Sequence, residues 1–219
     1  MIPGPPLIAK CPECGNEKSL MSLVSGNTIG AVQWSDAYRY APMLPQISAI
    51  QKCPECGGYF FMNDIETRYA EYDNGFNYSF DTGALTFPEI KEALLRLEDA
   101  GLNKNNELTL RLEFLFRYND AFRNYSSDGF GKDPFDGDRE RNETDAKLHK
   151  ENIKRLIPLL GNEGDNGILV AELYREAGMF DECMIALENC TAENDFVNGL
   201  INRIKEKALA SDSTVFQLY

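Results

Sequence analysis

Apolar positions follow two regimes along the chain. Up to about residue 62 they come in short runs broken by Gly, Pro, Ser and Asn, and from 86 onward they recur at helical spacing. The first regime predicts strands over 19–24, 28–34 and 59–62, with a turn at Ser25-Gly26-Asn27 and with 47–52 leading back toward the last of them. The second predicts helices over 86–100, 106–125, 145–160, 165–178, 181–192 and 195–210. Thr86 with Glu89 forms a capping box, Pro88 sits in the first turn, and Gly101 ends that helix. In 106–125, Leu108, Leu112, Leu115 and Phe122 form one stripe, while Leu110, Phe114, Tyr118, Ala121 and Tyr125 form another. A helix apolar over so wide an arc is buried between neighbours. The expected class is α+β, mainly α.

Two segments fit neither regime. Residues 63–85 form a connector with Tyr69, Tyr72, Phe76, Tyr78 and Phe80, which reads as an irregular stretch burying an interface. Residues 126–145 hold seven acidic residues, three basic ones and three glycines, and read as an acidic loop. Its Asp133-Pro134-Phe135-Asp136-Gly137-Asp138 fails the EF-hand template, which would put Lys132 and Pro134 at the first and third ligand positions. The expected organisation is therefore 1–62, the connector 63–85, and a helical domain 86–219.

Net charge is −13, and it is unevenly placed. Residues 1–62 balance Lys10, Lys18, Arg39 and Lys52 against Glu13, Glu17, Asp36 and Glu55, so the excess of acid lies beyond them. A nucleic-acid surface needs cations to replace counterions, so that class of partner is disfavoured. No apolar run reaches membrane-spanning length, and no signal-peptide pattern opens the chain. The expected compartment is the cytoplasm, where disulfides are disfavoured.

The chemistry is concentrated in a motif that occurs twice: Cys11-Pro12-Glu13-Cys14-Gly15 and Cys53-Pro54-Glu55-Cys56-Gly57. Two residues between cysteines let one tight turn aim both sulfurs at a single point. Proline presets φ in that turn, and glycine allows the positive φ that carries the chain past the ion. Two such turns supply four thiolates for one tetrahedral ion, and a closed set leaves no place for substrate. The expected cofactor is one structural Zn2+ on Cys11, Cys14, Cys53 and Cys56. Iron is the alternative, because four thiolates accept either metal.

The first part resembles a zinc ribbon with an enlarged central loop. A second resemblance lies in Ala171, Tyr174, Gly178, Phe180, Cys183, Leu187 and Cys190, whose spacing is similar to one tetratricopeptide repeat, with Gly167 in place of the first aromatic. The combination resembles uncharacterised bacterial proteins that join a CPxCG ribbon to a helical domain. The repeat resemblance implies a stacked helical array that binds a protein or peptide.

No nucleophile elbow, phosphate loop, HExxH or dinucleotide fingerprint is present. The single histidine, His149, lies between Lys147 and Lys150 and reads as a solvated surface residue. The loop bearing Trp34, Tyr38, Arg39, Tyr40 and Met43 either packs onto the helices or offers anchors to a partner. The functional expectation is a non-enzymatic interaction or scaffold module with an unknown partner. A rubredoxin-like iron electron carrier is the alternative, and a nucleic-acid-binding ribbon a weaker one.

Overall fold

A computed structural model of the chain describes residues 1–71, 78–124, 139–161 and 166–218. The fold is mixed α+β and mainly helical. The strands are β1 (Ile2–Pro3), β2 (Leu7–Lys10), β3 (Glu17–Leu20), β4 (Leu23–Ser25), β5 (Val32–Gln33), β6 (Arg39–Tyr40), β7 (Ile50–Lys52), β8 (Tyr59–Phe61) and β9 (Thr67–Tyr69). The helices are α1 (Phe87–Leu97), α2 (Lys104–Asn119), α3 (Glu143–Leu160), α4 (Asn166–Glu176), α5 (Phe180–Glu188) and α6 (Asp195–Leu209). They group into two compact units, one formed by Met1–Ala31 with Tyr40–Leu102, the other by Val32–Arg39 with Asn103–Tyr219.

In the first unit β2 is central, flanked antiparallel by β3 and β9, while β7 and β8 form a separate antiparallel hairpin. Ala9, Leu20, Phe60 and two of the cysteines share one small core. Helix α1 belongs to this unit rather than opening the helical one. Its capping box at Thr86 and Glu89 is formed, as the sequence implies. Glu92 accepts a 2.8 Å hydrogen bond from the Tyr59 hydroxyl and pairs with Lys52 at 3.2 Å. The helix is thus tied to both strands of the β7–β8 hairpin.

In the second unit α2 and α3 enclose Leu115, Ile153, Leu156 and Ile157, joined by Val170 and Leu173 of α4. A second core holds Ala171, Cys183, Leu187, Ile204, Ala208 and Phe216. Helices α4 and α5 form a hairpin that turns at Gly178, where φ is +69° and the Met179 amide donates to the Tyr174 carbonyl at 2.8 Å. Segment 32–39 is built into this unit. The Ser35 amide donates to the Phe216 carbonyl at 2.9 Å, and the Leu218 amide donates to the Gln33 carbonyl at 2.7 Å.

Several expected boundaries shift. The strand expected over 19–24 is split, because the Met21 amide turns to the Asp81 carbonyl and the Ser22 hydroxyl to the Pro5 carbonyl. The strand expected over 28–34 is confined to β5. Helix α2 ends at Asn119 and tightens into a 3-10 turn over Asp120–Phe122. Asp145 closes a capping box with Asn142, so the acidic segment gives way to α3 by Glu143. Residues 125–138, which include the Asp133–Asp138 run, lie outside the described residues. In the connector, Tyr69, Tyr78 and Phe80 are exposed rather than buried in an interface, and Tyr72 and Phe76 fall outside the described residues.

Candidate metal centre

Strands β2 and β3 carry the first cysteine turn between them, and β7 and β8 carry the second. The two turns repeat one hydrogen-bond pattern. In the first, the Cys11 amide donates to Asn16 at 2.8 Å and the Gly15 amide donates to Cys11 at 2.9 Å. In the second, the Cys53 amide donates to Gly58 at 2.8 Å and the Gly57 amide donates to Cys53 at 3.0 Å. Gly15 and Gly57 both take positive φ, +76° and +71°. Any other residue type would be strained there.

The four sulfurs of Cys11, Cys14, Cys53 and Cys56 all lie within 4.8 Å of one another. Two close approaches link the turns: Cys11 Sγ to Cys56 Sγ at 3.7 Å, and Cys14 Sγ to Cys53 Sγ at 3.5 Å. A tetrahedral ion with metal–sulfur bonds of about 2.3 Å has sulfur–sulfur edges of about 3.8 Å, so these separations fit a single ion. Cys11 and Cys53 face the small core, whereas Cys14 and Cys56 are exposed. Among the described residues no other group of three or more His, Cys, Asp or Glu side chains converges in this way.

Electrostatics favour a cation at this point. Backbone amides, Cys56's first, hold the Cys53 thiol down to about 7. The Gly58 amide also favours the Cys56 thiolate, but desolvation and the thiols of Cys53 and Cys14 carry Cys56 up to about 12. One thiolate therefore forms readily while another is suppressed by crowding, and a divalent ion would remove that suppression. The Glu13 carboxylate leans over the second turn, 3.8 Å from Cys56 Sγ. It can lie there because residue 58 is glycine, since a Cβ at that position would collide with it.

The remaining sequence-predicted residues do not join the centre. Cys183 is fully buried in the α4–α6 core, and burial pushes its thiol up to about 11. Trp34 is 1% exposed, with Arg123 stacked 5.1 Å from its ring. Tyr38 lies 5.1 Å from the Phe116 ring. Tyr40 and Met43 are half-buried, and Arg39 is exposed. Trp34 is therefore enclosed by this chain's own side chains and is not a free anchor.

His149 is a correction. It is buried, stacked on Tyr118 with ring centroids 3.8 Å apart, and burial lowers its pKa to about 3. The inward face of α3 runs through Asp145, His149, Asn152, Ile153 and Leu156, so polar residues occupy helical positions normally filled by apolar ones. Lys147 and Lys150 are exposed, so the charges beside His149 in the chain do not share its buried position.

A buried ionic network also escaped the sequence. It joins Asp36, Asn119, Asp120 and Arg123 to Glu176, with Glu172 and Arg175 paired beside it. Its members come from three separate stretches, Asp36, 119–123 and 172–176, and individually look like surface residues.

The structure thus defines a class: four cysteines on paired hairpins, close enough to bind one metal ion, in a chain that is otherwise mainly helical. No protein-family model matches the chain, and no curated protein or solved structure matches it. No helix among the described residues is long and apolar enough to cross a membrane.

Proposed function

We propose that this chain is a non-catalytic interaction or scaffold module whose ribbon-like first unit is held by one structural zinc ion. The observation that carries the reading is the cage itself: four sulfurs within 4.8 Å of one another on two equivalent turns. With all four positions taken by protein, the ion has no open site for substrate, so its contribution is folding energy. The cluster around the cysteines is small, so the ion adds to what holds the two turns together. The α4–α5 hairpin, with Ala171 and Cys183 packed in its core and Gly178 at its turn, supports a tetratricopeptide-like reading. The partner is then a protein or peptide. The first unit carries twelve acidic and six basic residues, which disfavours nucleic acid.

One observation favours a second reading. Cys14 and Cys56 are exposed, which would bring the ion close to solvent and to a redox partner. With iron bound, the same cage would serve as a rubredoxin-like electron carrier. Metal analysis of freshly purified protein, with its visible spectrum, separates the two. About one zinc per chain and no colour supports the structural reading. About one iron with visible absorbance moves the assignment to electron transfer. Protein purified metal-free under reducing, chelator-free conditions would sink both.

A further inference from the structure

We infer that the cavity bounded by α4, α5 and the start of α6 is the partner site, and that it takes a basic segment presenting one bulky apolar side chain. The inference rests on the interaction-module reading and gives it a place and a partner chemistry. The cavity has a volume of about 860 Å3, within the range of formed ligand sites. Its apolar lining includes Ile168, Tyr174, Ile185 and Ala186. Gly167 brings no side chain to it, and a Cβ there would lie 3.3 Å from Cys190 Sγ, so a larger residue would crowd the wall. The residues that line the site are thus small where the two helices approach.

Charge selects the occupant. Glu182 and Glu193 stand at the rim. The stretch 177–202 contains Asp181, Glu182, Glu188, Glu193 and Asp195, and it has no Lys or Arg at all. An acidic segment would be repelled by this wall, while Lys or Arg flanking an apolar anchor would meet complementary charge. Ile185 is 61% exposed beside the opening, an apolar surface that such an anchor would cover.

The test is a random peptide library displayed on phage and selected against the metal-loaded full chain, followed by fluorescence polarisation with the enriched peptides. Enriched sequences should pair Lys or Arg with Phe, Leu, Met or Trp. Their affinity should fall on the order of tenfold in the double variant Glu182→Lys, Glu193→Lys, whose side chains are both exposed. Ile185→Glu is the decisive control. It adds a negative charge, so binding driven by charge alone would strengthen, whereas binding in the apolar cavity weakens. Circular dichroism and metal content identical to the parent chain show that each variant is folded. Neutral or acidic consensus sequences would overturn the site, and so would basic peptides whose affinity survives both variants. Peptides that bind elsewhere would leave the interaction-module reading standing. No enrichment at all would remove both.

Discussion

Arg123 holds Asp36 across 87 positions of sequence, with Nη2 donating to Oδ2 at 2.6 Å and Nη1 to Oδ1 at 3.2 Å. Both side chains are fully buried. The same guanidinium pairs with Asp120 at 2.9 Å and lies 4.4 Å from the Tyr38 ring. A loop that departs from the ribbon is thereby made part of the helical unit. Removing one partner of a buried pair strands the other, which costs about 3–5 kcal/mol. Asp36→Ala should therefore destabilise the second unit by about 3 kcal/mol, since Asp120 still offsets part of the arginine's charge. Urea unfolding followed by the fluorescence of Trp34, the only tryptophan, measures this directly. A loss below about 1 kcal/mol would mean the pair is incidental.

Glu176 gives a pH dependence of opposite origin. Burial, followed by the charges of Glu172 and Asp36, raises its pKa well above the ordinary carboxylate value. Asn119 donates to one carboxylate oxygen at 2.8 Å, and the other has no hydrogen-bond partner. The folded state therefore holds a proton that the unfolded chain releases. Stability is full below the unfolded pKa of this group and falls as pH rises toward the folded one. Glu176→Gln keeps the shape of the protonated acid. It should flatten this limb and be the more stable protein as pH rises above the ordinary carboxylate pKa. An equal loss of stability with rising pH in the two proteins would rule out Glu176 as its source.

His149 acts in the other direction. Burial lowers its pKa to about 3, with Arg141 adding to the effect and Asp36 opposing it. The unfolded chain takes up a proton near pH 6.5, and the folded protein does not. Stability should thus fall as pH drops from about 6.5 toward 3, by on the order of 4 kcal/mol for this group. His149→Phe keeps a ring against Tyr118 and should remove much of that acid limb. Measurements in the Cys53→Ser background separate it from acid release of a metal. An unchanged acid limb there would show that His149 is not the buried neutral group.

What could be read from the sequence depended on how local each signal was. The CPECG turns, the Thr86–Glu89 cap and the helices are set by neighbouring residues, and they appear at or near the expected positions. Strands β2 and β9 were not legible, because Leu7–Lys10 follows a proline-rich start and Thr67–Tyr69 is exposed, so neither shows a hydrophobic alternation. The inward face of α3 hides His149 because its neighbours Asp145 and Asn152 are polar too. The network of Asp36, Asn119, Arg123 and Glu176 is assembled only by tertiary packing, and no spacing in the chain announces it.

Two glycines with similar backbone angles should respond very differently to alanine. Gly57 has φ +71° and open space around its missing side chain, so Gly57→Ala costs only the conformational strain, about 1–2 kcal/mol. Gly83 has φ +68°, and its missing Cβ would collide with the amide of Gln51. Gln51 is fully buried and donates to the Ser48 carbonyl at 2.8 Å, so it cannot simply move aside. Gly83→Ala should lose about 3 kcal/mol or more, the strain plus an overpacking penalty. Thermal melts of the two metal-loaded variants decide it, and equal losses would contradict the close approach.

Metal removal should separate the two units. Cys53 and its partners lie in the first unit, while Trp34 lies in the second, enclosed by Arg123 and by strand-like pairing with the C-terminal segment. Cys53→Ser leaves a buried ligand position without its thiolate, and a three-thiolate set binds the ion far more weakly. The variant should purify with little metal, and its first unit should lose order, seen as protease cleavage within 1–31 and 40–71. Trp34 emission should keep the blue-shifted maximum of a buried indole, because Arg123, Tyr38 and Gln217, which pack or pair with it, all belong to the second unit. A red shift of Trp34 on metal loss would show that the helical unit depends on the ribbon for its fold. Full metal content in Cys53→Ser would show that this residue is not a ligand.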